Sequence, residues 1–254
     1  MSDTEREIEV IVRDNERIDD LQYKGLRLIQ NPESFCFGID AVLLANYAKA
    51  SAKDTVMDLC TGNGVIPILM SGKTKASGLI GVEIQEESAD LAIRSVKLNA
   101  LQDRVSIINE DIRKLPEHYP KGSVDVITCN PPYMIESHGL RNEADSKTIA
   151  RHEIMCTLED VAATAAALLK TGGMFYMIHR PFRLTEIMVT LNRYKLEPKR
   201  MRLVYPYVDK EPSMVLIEAK RDARSRITVE KPLIVYERSG EYTQELMDFY
   251  NGKA

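Results

Sequence analysis

Asn130-Pro131-Pro132-Tyr133 follows the apolar run VDVITC (124–129) and sets an amide, two rigid residues and an aromatic ring side by side. Neither proline has a backbone N–H, and each biases the residue before it toward extended geometry, so the chain is stiffly directed away from the strand it ends. The Asn130 amide oxygen and the Pro131 carbonyl then form a pair of acceptors, with the Tyr133 ring close by. Such a pair suits a planar exocyclic amino group, whose lone pair is delocalised into its ring. Holding both of its hydrogens favours the pyramidal geometry from which the nitrogen can attack an activated methyl group in line. Alignment is the main contribution to such a reaction, on the order of 7–11 kcal/mol in effective molarity. Stacking of the base on Tyr133 adds about 1–3 kcal/mol. Taken alone, the stretch reads better as a strand-ending turn with Tyr133 in the core.

Three acids upstream change that balance. DLCTGNG (58–64) is a strand end running into a glycine-containing turn, where Gly62 and Gly64 let a ligand approach the backbone. A nicotinamide-binding turn would carry a third glycine at 67, and Pro67 stands there instead. Asp58 suits a ligand with a cationic amino end, such as the methionine part of S-adenosylmethionine, better than a pyrophosphate. Glu83, about twenty residues on, sits where an acid accepts from ribose hydroxyls. Asp111 closes a third strand. Singly each acid is an ordinary cap or solvated end, but together they mark the carboxyl edge where open α/β sheets bind ligands.

The elements that must position these groups alternate from residue 55 onward, as in a parallel sheet covered by helices. Strands are expected at 55–60, 79–84, 104–111, 123–129 and 174–179. Helices are expected at 64–72, at 86–100 with Ala89, Ile93, Val96 and Ala100 on one apolar face, at 158–170 and at roughly 183–194. Thr157 is the expected cap of the third helix and Gly172-Gly173 its stop. The runs MRLVYP and SMVLIEAK, joined by YVDKEPS, should form a hairpin that puts one antiparallel strand at the sheet edge. The polar stretch 133–156 reads as a functional loop and 221–254 as a short appended tail.

With 254 residues, 44% of them hydrophobic, 28% charged and a net charge of -4, the chain has the make-up of a soluble globular protein of one catalytic-size domain. Within it, 1–50 would be a lead-in, 51–220 the core and 221–254 an extension. The acidic start, without an apolar leader, and the lack of a bilayer-length apolar run imply a cytoplasmic protein. Cys36, Cys60, Cys129 and Cys156 are spaced for neither a metal site nor a disulfide scaffold and are read as reduced. No metal is expected, since the histidines share no ligand spacing. Residues 1–20 carry a net -5 and residues 180–226 a net +6. The latter stretch, with Lys199, Arg200 and Arg202, is the candidate RNA-facing surface, although such runs are often solvated faces.

DLCTGNG, VEIQ (82–85), EDIRKL (110–115) and CNPPY in this order resemble the Rossmann-like, class I S-adenosylmethionine-dependent amino-methyltransferases. That resemblance implies a seven-stranded, mostly parallel sheet with one antiparallel edge strand and helices on both faces. NPPY is shared by methyltransferases of adenine, of guanine and of protein glutamine. ERIDDLQYKGLRLIQ (16–30), FCFGIDAVLLANYA (35–48) and ARHE (150–153) narrow the likeness to the bacterial tRNA(Val) (adenine(37)-N6)-methyltransferase family, over nearly the whole chain.

The family would use S-adenosyl-L-methionine, yield S-adenosyl-L-homocysteine and act on tRNA. By resemblance Phe37, Gly38 and Asp40 close the cofactor pocket. Asp58, Gly62 and Gly64 face the methionine end, Glu83 the ribose and Asp111 the cofactor adenine, with Cys60, Ile84 and Ile112 also among the cofactor-binding residues. Asn130, which also borders the cofactor, and Pro131 hold the target amino group, with Tyr133 stacked on its ring. Cys60 stands where many relatives have glycine, and Glu110 where a small residue is common. Arg151 and His152 either grip substrate or, with Glu153, form an ion pair that orders the loop. His179 and Arg180 either meet phosphates or end a strand in solvent. A protein-glutamine methyltransferase, or an idle cofactor-binding RNA module, are the alternatives. The former usually carries a separate helical domain, for which this chain has little room.

Overall fold

The computed structural model describes residues 12–33, 36–132, 156–238 and 240–251. Two short strands, β1 (Arg17–Asp20) and β2 (Arg27–Gln30), form an antiparallel hairpin that leads into α1 (Ile39–Tyr47). The alternating core follows: β3 (Thr55–Leu59), α2 (Val65–Lys73), β4 (Gly78–Glu83), α3 (Glu86–Leu98), β5 (Val105–Asn109), a 3-10 turn (Ile112–Lys114) with the one-turn α4 (Leu115–His118), and β6 (Val124–Cys129). Then come α5 (Leu158–Leu168), β7 (Leu169–His179), α6 (Leu184–Arg193), β8 (Leu196–Tyr205) and β9 (Met214–Arg221). The chain closes with the short strands β10 (Thr228–Val229), β11 (Leu233–Ile234), β12 (Tyr236–Arg238) and β13 (Glu241–Tyr242), and with α7 (Gln244–Asn251).

The main sheet runs β5-β4-β3-β6-β7-β9-β8, with β10 and β11 both paired to β8. The sheet is mostly parallel, as expected, and β9 is the strand antiparallel to both of its neighbours. It therefore lies inside the sheet, because the returning arm of the β8–β9 hairpin inserts beside β7 and leaves β8 outermost of the long strands. Alternate side chains of each strand point to opposite faces. Val56, Val126 and Tyr176 pack with α1, α2 and α7 on one face, while Met57, Ile127 and Phe175 pack with α5 and α6 on the other.

Three local expectations shift. On α3 the buried residues are Ala89, Leu91, Ala92, Ser95 and Val96, and Ile93 is exposed. The small residues face inward because the turn at Gly64 and the hairpin strand β2 approach closely, with the Ile29 amide donating to Ser95 Oγ at 2.9 Å. Gly172-Gly173 do not stop α5, which ends at Leu168 with Leu169 as its cap. They lie within β7, where the pairing with β6 changes register and a Cβ on Gly173 would come 2.9 Å from the Lys170 carbonyl and 3.0 Å from that of Asp125. The final stretch is part of the core, burying Leu233, Val235, Leu246 and Phe249.

Thr157 caps α5 as a reciprocal box: its hydroxyl accepts from the Asp160 amide at 3.1 Å, and the Asp160 carboxylate accepts from the Thr157 amide at 2.9 Å. Replacing Thr157 by Ala should lower the unfolding free energy by about 1 kcal/mol, measured by urea denaturation, with no change in the slope of the transition.

Candidate active site

Parallel pairing brings four strand ends to one level. Leu59 faces Val82 on one side and Cys129 on the other, and Glu83 faces Asn109. Asp58, Glu83, Asp111 and Asn130 therefore share the carboxyl edge of the sheet, on adjacent strands about 4.8 Å apart.

The turn after β3 is held from below and from the side. Thr61 donates its amide to the Val82 carbonyl, and the Gly62 amide donates to Glu83 Oε2 at 2.8 Å. Glu83 Oε1 accepts from the Gln85 amide at 2.9 Å. The carboxylate is thus buried but satisfied. Gly62 and Gly64 have φ of 57° and 85°. A Cβ on Gly64 would meet Ala92 at 3.0 Å, whereas one on Gly62 would meet nothing within 4 Å. Gly64 thus serves packing, and Gly62 leaves a cradle open above the backbone.

Cys60 takes the left-handed conformation as well, with φ 60°. A side chain there costs about 1–2 kcal/mol, which explains why glycine suits the position better. Its sulfur lies 3.8 Å from that of Cys156. Hydrogen bonding with Cys129, together with burial, pushes the Cys60 thiol well up, so it stays protonated. All four cysteines are free.

Asp58 is fully buried. Its Oδ1 accepts from Thr128 Oγ1 at 2.6 Å, and its Oδ2 has no hydrogen-bond partner. Burial lifts its carboxyl to about 7, the Glu83 charge adds to the rise, and the Thr128 bond with the nearby Thr61 hydroxyl pulls the other way. Thr61 Oγ1 is likewise buried without a partner in bonding geometry. An unsatisfied carboxylate oxygen beside an open glycine cradle fits a ligand bringing an ammonium group, which would satisfy Oδ2 and draw the carboxyl back to its charged form. Thr128, a hydroxyl between Ile127 and Cys129 near the end of β6, and Thr61 are site residues that sequence reasoning missed. The polar interruption of VDVITC was the available signal.

The lead-in is tied to the same turn. Gln30 Oε1 accepts from the Phe37 amide at 3.1 Å and from Asn63 Nδ2 at 3.3 Å, while its Nε2 donates to Asp19. Phe37 therefore reaches the turn through its backbone, and Gln30 and Asn63 join the site as further residues not foreseen. Gly38 caps α1 in extended backbone, and Asp40 Oδ2 accepts from Asn130 Nδ2 at 3.1 Å.

Other expected residues take different work. Asp111 caps the 3-10 turn and is gripped by Arg113 at 2.5 Å, a bond that holds its carboxyl below the usual range. Ile112 is buried beneath it, and Ile84 accepts at its carbonyl from Asn109 Nδ2 at 3.1 Å. His179 is 1% exposed, its Nδ1 accepts from the Arg180 amide at 2.7 Å, and burial with the Arg183 charge drops it to about 4. It is a neutral strand end, so the reading of His179 as a phosphate contact or a solvated end gives way to a core one. Arg180 reaches across to the Ser213 carbonyl at 3.0 Å. Arg200 lies over the Tyr47 ring between Glu218 and Glu230, and Arg202 is buried against Lys231, Pro232 and Glu245. Both arginines hold the C-terminal stretch to the sheet instead of facing RNA, and Lys199 is half-buried and bonds the Arg224 carbonyl. Tyr133, Arg151 and His152 lie outside the described residues.

A glycine cradle, a buried acid, a ribose-height carboxylate and a stiff Asn-Pro-Pro end on one edge of this sheet define a Rossmann-like, S-adenosyl-L-methionine-dependent methyltransferase. Residues 50–218 match the family model described as "Methyltransferase domain", and the chain belongs to that family. A curated relative from Photobacterium profundum, named tRNA1(Val) (adenine(37)-N6)-methyltransferase, is 24% identical over 83% of this chain and 89% of its own. One of the same name from Phocaeicola vulgatus is 28% identical over 84% and 89%. Among solved structures, a predicted O-methyltransferase from Agrobacterium tumefaciens superimposes with a TM-score of 0.68 at 25% identity, covering 85% of this chain and 97% of that one. A Pyrococcus horikoshii protein solved with MeSAdo shares the fold, with a TM-score of 0.60 at 17% identity over 83% and 73%.

Two outcomes follow from this geometry. Cys60→Gly relieves the left-handed strain against a gain in unfolded-chain entropy and should leave stability unchanged or raise it by up to about 1 kcal/mol, whereas Cys60→Val should lower it, both by calorimetry. His179 has a folded pKa below its unfolded value, so its contribution is complete above about 6.5 and is lost as pH falls toward about 4. Unfolding free energy should drop over that window by up to about 3 kcal/mol more than in a His179→Gln variant.

Proposed function

We propose that this protein methylates the exocyclic N6 of adenine in tRNA, at adenine 37 beside the anticodon, in the cytoplasm. The observation that carries the reading is the rigid Asn130-Pro131-Pro132 end of β6, level with the glycine turn of β3. Support for the particular substrate comes from the curated relatives that bear that name over most of their length and of this chain.

Bound S-adenosyl-L-methionine supplies a methyl group on a sulfonium, already activated toward attack. Asp58 Oδ2 and the turn around Gly62 would hold its amino acid end, and Glu83, at the end of the neighbouring strand, its ribose hydroxyls. Asn130 Oδ1 and the Pro131 carbonyl would take the two hydrogens of the target amino group and aim its lone pair. The bound cofactor would supply the methyl group to the nitrogen so aimed, and the surplus amino proton would pass to water after transfer. No strong base is needed for that order of events. Burial of Pro131 and the partial burial of Asn130 keep both acceptors from wandering. An adenine in a loop must leave its stack to enter such an edge, which favours a single-stranded substrate.

Asn130→Ala should reduce methyl transfer by at least about a hundredfold while leaving cofactor affinity within about threefold. The measurement is radiolabel transfer to separated tRNA, DNA and protein fractions, with nucleoside analysis of the tRNA. Label on protein alone, or normal turnover by the variant, contradicts the assignment.

A further inference from the structure

The amide of Asn130 is useful to an amino group in only one of its two orientations. With Oδ1 toward the substrate it accepts a hydrogen, whereas the flipped amide would present two donors to a donor. Asn130 follows a strand and precedes two prolines, and neither neighbour can choose between these flips, since prolines contribute no N–H and the strand bonds only backbone.

A choice is made from across the edge, by the segment Gly38-Ile39-Asp40 that opens α1. Asp40 Oδ2 lies 3.1 Å from Asn130 Nδ2 and its Oδ1 accepts from the Ala41 amide at 2.9 Å. A carboxylate accepts and never donates while ionised, so the partner it tolerates at Asn130 is the NH2. The flipped state would press Oδ1 against a negative oxygen. The carboxylate is itself well anchored. It sits in the first turn of a helix, where exposed amides and the dipole favour negative charge. That helix is fixed in the core by Ala41, Val42, Leu43 and Leu44, each at most 3% exposed. Space for it is reserved by Gly38, where a Cβ would stand 2.8 Å from Asp40 Oδ1.

We propose that Asp40 is a positioning residue for methyl transfer, setting the Asn130 amide so that Oδ1 is the face offered to the target amino group. This role rests on the amino-group reading of Asn130 given above and replaces the cofactor contact implied for Asp40 by family likeness. Gly38 belongs to the same device, since any side chain there displaces the carboxylate.

The test uses the full chain with S-adenosyl-L-homocysteine affinity by calorimetry and single-turnover methylation of an unmodified tRNA transcript at saturating cofactor. Asp40→Ala should slow transfer on the order of 10- to 100-fold with cofactor affinity within about threefold. Asp40→Asn, whose amide oxygen still accepts, should recover most of the rate. The double variant with Asn130→Ala should be no slower than Asn130→Ala alone, because one substitution has already removed what the other positions. Should Asp40→Ala not fold, Gly38→Ala reads the same split between rate and affinity while keeping every acceptor in the chain. Loss of cofactor affinity with an unchanged saturated rate, a wild-type rate in Asp40→Ala, or multiplying effects in the double variant would overturn the role. Normal turnover by Asn130→Ala would instead remove the amino-group reading itself, a separate result.

Discussion

The carboxylate of Glu83 is the joint on which the site depends. Buried at the end of β4, it must be hydrogen-bonded or cost several kcal/mol, and it finds the backbone amides of Gly62 and Gln85. One acid thereby fixes the turn after β3 to the start of α3. The remaining features accommodate that bond. Cys60, Gly62 and Gly64 bend through left-handed backbone to bring the Gly62 amide to it, and Ala92 stays small so that Gly64 can lie against α3. Gln30 then pins Asn63 from the hairpin side. This edge of the sheet is therefore assembled around an anion that points into the protein.

How much of this was legible depended on whether the cause was local. The strands at 55–60, 79–84 and 123–129 are short, apolar and bounded by turn residues, and the Thr157 cap is written within four residues of chain. Asp58, Glu83 and Asn130 could be placed because strand ends of a parallel sheet share an edge whatever packs around them. Non-local causes stayed hidden. The face of α3 was turned by the close approach of β2 and Gly64, which no periodicity within 86–100 encodes. Gly172-Gly173 look like a helix stop in sequence and serve a register change against β6. Gln30 and Thr128 look like ordinary polar residues until the fold brings partners to them.

Charge was the least transferable signal. The positive excess of 180–226 suggested a surface for phosphate, yet much of it is answered by acids from elsewhere in the chain. Arg193 pairs with Glu159, Arg200 with Glu230 as well as with Glu218 of the stretch itself, and Arg202 with Glu245. Those pairs that are well buried are compensated desolvated charges, which hold elements in register more than they attract a partner. His179 tells the same story in neutral form: a titratable residue at a sheet edge is drawn into the core when apolar neighbours and an arginine make its charged state costly.

The two-residue strands β10 and β11 have a bearing on how copies of this chain can meet. Both lie beside β8, which would otherwise be a ten-residue strand with a row of unused backbone groups on its outer side. A long bare flank of that kind is an invitation to pair with another sheet, the first step toward aggregation. Here the flank is covered in two brief pieces, with Lys231 and Pro232 between them. A charge and a residue without an amide are poor templates for further pairing. The extension thus acts as a selvedge that finishes the weave of the sheet, and it gives the final thirty or so residues a reason to persist that has nothing to do with methyl transfer.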